Sequence, residues 1–240
     1  MKLIKLPLVA ALSLLVLSSN AWAQSTKRLI DEVNPFIGTS NFGTTNPGAV
    51  VPNGLMSITP FNVSGSPELN KFDKDKRWWS TPYTADNKFF SGFSHVNLSG
   101  VGCPELGSII VSASAGDLDV DYTHYGSAMS EEKAHPGYYS VQLNKHKIKA
   151  EVTATQRTAV SAFTFERGGK SNILVNLGLG LTNESGATVR FLNDSTIVGS
   201  KLMGTFCYAP QAVFNQYFAI RISRRAPASG YWKKQPPIEG

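Results

Sequence analysis

Apolar and polar residues alternate without a break through the run IKAEVTAT, residues 148–155. On an extended chain Ile148, Ala150, Val152 and Ala154 point one way, and Lys149, Glu151, Thr153 and Thr155 the other. A period of two marks a strand with one face on a core and one in water. The runs AVSAFTFE, YYSVQL, GSIIVSAS, NILVNL and YFAIRIS carry the same signal, enriched in β-branched and aromatic residues. NILVNL is apolar nearly throughout, and the expectation is that it lies in the middle of a sheet. HPGYY, ERGGKSN, NESG and LNDS supply turns between these runs. Helical periodicity is scarce. Short strands at close spacing predict an all-β fold, an antiparallel β-sandwich.

The first residues stand outside that fold. Lys2 and Lys5 precede the apolar stretch LPLVAALSLLVLSS, and AWA (residues 21–23) places small residues at a cleavage site. This is the pattern of a secretory signal peptide, a short helix cleaved after Ala23, and it implies a secreted or periplasmic protein. The apolar run is short for a hydrocarbon core of about 30 Å, and no other segment could span a membrane. The remainder of the 240-residue chain suits one large domain or two small ones.

The formal net charge is +6, with Lys2 and Lys5 contributing two of the positive charges. The rest are scattered. KFDKDKR (71–77) contains two aspartates, and KHKIK (145–149) sits in a strand pattern. No basic stripe with interleaved aromatics occurs, which argues against nucleic acid as a partner. The two cysteines, Cys103 and Cys207, could pair in an oxidising compartment or be two buried thiols. Their spacing excludes a zinc site.

Three segments break the strand rhythm, all in the first half. Residues 33–54 are loaded with Gly, Pro, Asn and Thr. Residues 66–88 form a long polar stretch holding Trp78 and Trp79. Residues 92–108, GFSHVNLSGVGCPELGS, pack glycines and serines around His95 and Cys103. Long irregular loops are often functional, so function is expected at the amino-terminal half. The end of the chain, ASGYWKKQPPIEG, reads like linker and suggests a fragment of a longer protein.

Within these segments His95 could bind a ligand, move a proton, or simply bond backbone. His124, His135 and His146 read as surface residues. Trp78 and Trp79 are adjacent, so on an extended segment only one faces a given cleft. An indole suits the C–H face of a sugar ring and offers one N–H donor, and it equally suits a loop anchor. Glycoside hydrolysis needs two carboxylates, about 6.5–9.5 Å apart for inversion. Asp73, Asp75, Asp86 and Glu105 lie near the loops, but none has an apolar setting that would raise its pKa. DLDVD (117–121) reads as a solvated edge and lacks the glycine and glutamate of a calcium loop. No G-x-S-x-G, P-loop or H-E-x-x-H motif occurs.

VNPFIGTSNFGTTNPGAVVPNGLMSITP, RWWSTPY, GFSHVNLSGVGCPELGS, HPGYYSVQL and EVTATQRTAVSAFTF, in this order, resemble the amino-terminal part of glycoside hydrolase family 92, a family of secreted bacterial exo-α-mannosidases. The resemblance runs from about Asp31 to the end. It implies a β-sandwich of supersandwich type over residues 24–229, with 230–240 starting a linker toward an (α/α)6 catalytic domain. It further implies an inverting, calcium-dependent hydrolysis of terminal α-mannosides, α-1,2-linked ones foremost. The catalytic carboxylates and most calcium ligands would then lie in the helical domain, so this chain carries no catalytic residue and binds no calcium alone. Its partners would be mannose-containing glycans and that helical domain. The substrate-binding residues carried over are Trp78 or Trp79, His95, Gly38 and Thr39, as a wall of the mannose pocket. A free-standing carbohydrate-binding module and a purely structural β-sandwich are the rival readings.

Overall fold

The structure, a computed structural model, describes residues 28–41, 43–63, 80–103, 105–181, 185–203, 209 and 211–233. The signal peptide, Trp78, Trp79, Asp73, Asp75 and Cys207 lie outside the described residues. The chain divides into Met1–Val33 and Asn34–Gly240. In the first unit, a 3-10 turn over Leu29–Glu32 carries an ion pair between Arg28 and Asp31 at 2.9 Å. Among the described residues no helix is long and apolar enough to cross a membrane.

The second unit is antiparallel throughout its described strands. The strands are β1 (Ala49–Val50), β2 (Ser57–Phe61), β3 (Phe89–Phe90), β4 (Gly92–Asn97), β5 (Leu106–Ala115), β6 (Ser127–His135), β7 (Tyr138–Leu143), β8 (Ile148–Ala154), β9 (Ala159–Phe165), β10 (Ser171–Asn176), β11 (Ser185–Asn193), β12 (Thr196–Met203) and β13 (Phe214–Arg221). A single turn of α-helix, α1 (Tyr122–Tyr125), is capped by the Asp121 carboxylate. The strands form sheets ordered β1-β2-β4-β5-β10, β3-β6-β7-β8-β9 and β11-β12-β13.

The two five-stranded sheets enclose the main core. Ala49, Ile58, Phe93 and Ala113 from one meet Phe90, Met129, Tyr139, Val141, Ile148 and Val152 from the other. Phe93 is the pivot, edge-on to Phe90 at 4.9 Å and to Tyr139 at 6.2 Å between ring centroids. Edge-to-face contact places a positive ring edge on a negative ring face. β8 shows the alternation expected of it, with Ile148, Ala150, Val152 and Ala154 buried and Lys149 and Thr153 exposed.

NILVNL departs from its expected place. It forms β10, which among the described strands pairs only with β5 and ends its sheet. β5, LGSIIVSASA, and β2 instead have both edges paired and nearly every residue buried. The apolar run of β10 signals neither paired edges nor full cover, since Ile173 is exposed and only Leu174 and Asn176 are buried. β5 has both faces covered: Ala113 joins the main core, and Ile110 joins a second cluster with Phe61, Val63 and Leu179. Its buried serines are small enough to sit under such cover. The segment 92–108 is also more regular than expected, being β4, a connection, and the start of β5.

His146 is not a free surface residue. Its Nε2–H donates to the Tyr125 carbonyl at 2.7 Å, and its Nδ1 receives the Ala115 amide at 3.4 Å. It ties α1 to the end of β5.

Candidate functional site

The three loops read from the sequence meet. The Gly100 amide donates to the Thr44 carbonyl at 2.8 Å, and the Ser80 hydroxyl donates to the Gly100 carbonyl at 3.3 Å. The Ala85 amide donates to the Thr39 carbonyl at 2.8 Å, and the Asn41 amide to the Asp86 carboxylate at 3.3 Å. Residues 38–45, 80–87 and the β4–β5 connection therefore form one interlocked surface.

The FIGT turn is knotted from within. Gly38 has φ +79°, and a Cβ there would lie 2.9 Å from Thr45 Oγ1. The Thr45 hydroxyl donates to the Ile37 carbonyl at 2.7 Å. Gly43 passes so near that a Cβ on it would lie 1.8 Å from the Gly38 carbonyl oxygen. Only glycine admits such an approach. Gly38 is exposed. Thr39 is buried, and its hydroxyl donates to the Phe36 carbonyl at 2.8 Å.

His95 sits where the β4–β5 ladder slips. Phe93 faces Val111 and His95 faces Ser108, so β5 carries an extra residue between them. Ile109, in that bulge, and Val96, beside the histidine, have φ near +55°. For a β-branched residue the left-handed region costs about 1–2 kcal/mol, and bulges of this kind re-aim side chains. Here the bulge turns the Ile109 carbonyl toward His95, which meets it through Nδ1 at 2.6 Å. A carbonyl only accepts, so Nδ1 holds the hydrogen and Nε2 keeps a lone pair. The residue keeps slight exposure, yet burial of the ring pushes the imidazole down to about 4, outweighing the carbonyl bond that favours the charged form. His95 is thus a neutral acceptor.

Around it, Ser57, Ser94 and Asn97 interlock. The Asn97 amide donates to Ser57 Oγ at 2.7 Å, and the Ser94 hydroxyl to Asn97 Oδ1 at 2.7 Å. Ser108, across from His95, donates to Gln216 Oε1 at 2.6 Å, linking this sheet to β13.

The low His95 pKa predicts acid sensitivity. The unfolded imidazole takes its proton near pH 6.5, the folded one only near 4. Stability from this residue is complete above about pH 6.5 and is lost as pH falls toward 4. Allowing for the residual exposure, the loss amounts to about 2 kcal/mol. Urea unfolding at pH 7, 5.5 and 4.5 should show it, and His95→Gln should flatten that dependence.

Asp117 pairs with Lys170 at 2.6 Å, which holds its carboxyl below the usual range. Asp121 caps α1. Glu105 is buried, which its sequence setting did not signal. Among the described residues, no three His, Cys, Asp or Glu side chains gather to hold a metal. The described residues therefore offer no calcium site. Cys103 is disulfide-bonded, which decides between the two readings of that thiol.

Sequence reasoning missed two buried polar centres that support the loops. Glu132 accepts the Tyr83 hydroxyl at 2.7 Å, the Tyr139 hydroxyl at 2.9 Å and Lys88 Nζ at 2.6 Å. Asn62 is fully buried against residues 82–87. A shallow depression on the third sheet, lined by Val189, Arg190, Tyr217 and Phe218 among others, involves none of the three loops.

The described residues thus form antiparallel sheets packed as a sandwich, with irregular segments tied together at one place. The chain belongs to glycosyl hydrolase family 92: residues 32–240 match the model of the family's N-terminal domain. It is similar to a family GH92 α-mannosidase from Bacteroides thetaiotaomicron, at TM-score 0.72 and 30% identity over 83% of this chain and 26% of that one. It also resembles the GH92 family glycosyl hydrolase ccman5, at TM-score 0.60 and 26% identity over 79% of this chain and 26% of that one. An uncharacterized secreted glycosidase of Arthroderma benhamiae is 30% identical over 178 residues, 68% of this chain and 21% of the relative. The chain thus spans about a quarter of the length of these relatives.

Proposed function

We propose that the chain is the N-terminal, non-catalytic part of an inverting, calcium-dependent α-mannosidase that removes terminal α-mannose, with α-1,2 linkages preferred. The interlocked loops form one wall of the sugar site. The observation that carries this reading is the meeting of all three irregular segments, which joins the FIGT turn to the stem of the tryptophan loop. One relative supports it: the Bacteroides enzyme is named an α-mannosidase, and its structure is also known in complex with mannoimidazole.

In this reading Gly38 presents exposed backbone, Trp78 or Trp79 covers a sugar face, and His95 accepts a hydroxyl hydrogen through Nε2 or holds the β4–β5 corner. The acid that protonates the leaving oxygen and the base that activates water belong to the part of the relatives' length that this chain does not span, and so does calcium. Signal cleavage after Ala23, release to the periplasm or medium, and a sandwich over 24–229 complete the proposal.

The test is a titration of the 240-residue chain with α-1,2-mannobiose, followed by tryptophan fluorescence and mannose release. A saturable quench is expected, removed by Trp78→Phe or by Trp79→Phe, together with no mannose release. Hydrolysis at an enzymatic rate by this chain would overturn the non-catalytic reading. A quench unaffected by either substitution would overturn the tryptophan wall.

A further inference from the structure

The geometry points to Asn62 as the positioning residue of the loop surface. Asn62 follows the last residue of β2 and is fully buried. Its Nδ2 donates to the Thr84 carbonyl at 2.7 Å and to the Asn87 carbonyl at 2.8 Å. Its Oδ1 accepts the Thr84 amide at 2.8 Å. Its own amide donates to the Pro82 carbonyl at 2.9 Å, and its carbonyl accepts Asn87 Nδ2 at 3.1 Å. Residues 82–87 are folded around one side chain.

The next bonds lead outward. Ala85 and Asp86, held between the Thr84 and Asn87 contacts, support the Thr39 carbonyl and the Asn41 amide. The FIGT turn therefore rests on residues 85–86, and these rest on Asn62. In sequence, the stretch bearing Trp78 and Trp79 lies between Asn62 and residues 82–87.

Only asparagine meets the demand. Two donors and an acceptor must diverge from a short stem. Aspartate would lose both donors and bury a charge, leucine would leave Thr84 and Asn87 groups unpaired, and glutamine is one methylene too long. The sequon N-V-S at this residue is consequently a structural asparagine, since a fully buried amide admits no glycan. That Asn62 positions the FIGT turn stands on these contacts alone. That it thereby positions a sugar rests on the proposed function.

The test is amide hydrogen exchange on the 240-residue chain and its Asn62→Ser variant, read in residues 36–45, 82–88 and 148–154. Loss of the clasp should raise exchange about tenfold to a hundredfold in the first two segments and leave β8 unchanged. In the unsubstituted chain, the Thr84 and Ala85 amides should open together, with one denaturant dependence. This second measurement decides the matter if the variant does not fold. Faster exchange confined to 82–88, equal acceleration in all three segments, or separate opening of Thr84 and Ala85 would overturn the inference. Loosening of 36–45 with the mannobiose quench unchanged would uphold Asn62 as the positioning residue and remove the sugar from its role.

Discussion

Replacing Glu132 with alanine is expected to cost about 4 kcal/mol of stability, a large share of what a single domain has. The Glu132 carboxylate is 9% exposed and joins three donors. Two of these are the hydroxyls of Tyr83 and Tyr139, both fully buried. Without the carboxylate each hydroxyl stays in the interior unpaired, at about 1–3 kcal/mol apiece. The third donor, Lys88, is 44% exposed, so the ion pair itself contributes less than about 1 kcal/mol. The expected order in urea unfolding is therefore Glu132→Ala well above Tyr83→Phe, and Tyr83→Phe above Lys88→Met. A Lys88→Met cost equal to that of Glu132→Ala would show that charge pairing, and not phenol burial, governs the site. Tyr83 lies in the segment that supports the FIGT turn, so a folded Glu132→Gln protein should also exchange faster over residues 80–88.

How Glu132 comes to point inward explains why the sequence hides it. In SEEKAH it reads as one more charge on a solvated strand face. The ladder slips between Ser130 and Lys133, and Glu131 takes φ +53°. That bulge reverses the in–out alternation and turns a carboxylate toward the two tyrosines. His95 depends on a similar slip in the β4–β5 ladder, and periodicity is blind to both because they are single-residue events. β8 was legible because nothing interrupts its alternation. β10 departs from the middle of a sheet because an apolar run fixes neither edges nor cover: Ile173 is exposed, and only Leu174 and Asn176 are buried. The gathering of the loops was legible only as composition, through Gly, Pro and Asn in three places. Their meeting depends on backbone carbonyls, of Thr39, Thr44 and Gly100, which no residue type announces. Asn62 belongs to the same class: nothing in its sequence setting places it inside, where its hydrogen bonds put it.

Above about pH 10 the protein should lose stability steeply, because three buried tyrosines hold their protons in the fold. Burial, reinforced by the Glu132 charge, raises the Tyr83 and Tyr139 phenols well above their ordinary value. Burial likewise pushes the Tyr125 phenol up to about 12, against a favourable bond in which Asn176 Nδ2 donates to its oxygen at 3.1 Å. In the unfolded chain all three ionise near pH 10. From there upward the native state binds more protons than the unfolded one, so stability falls as pH rises. Each tyrosine contributes about 1.4 kcal/mol per pH unit, and the three together about 4 kcal/mol per unit between pH 10 and 12. Against a typical total of about 5–15 kcal/mol, unfolding should be complete within a few pH units of the threshold. Urea midpoints at pH 9, 10, 10.5 and 11 would give the slope, and phenolate absorbance should rise in step with loss of structure. In the double variant Tyr83→Phe/Tyr139→Phe the starting stability is lower, but the slope should fall to about one third, because Tyr125 alone remains. A midpoint that does not move between pH 9 and 11, or a slope the double variant leaves intact, would mean that these phenols do not set the alkaline limit of the fold.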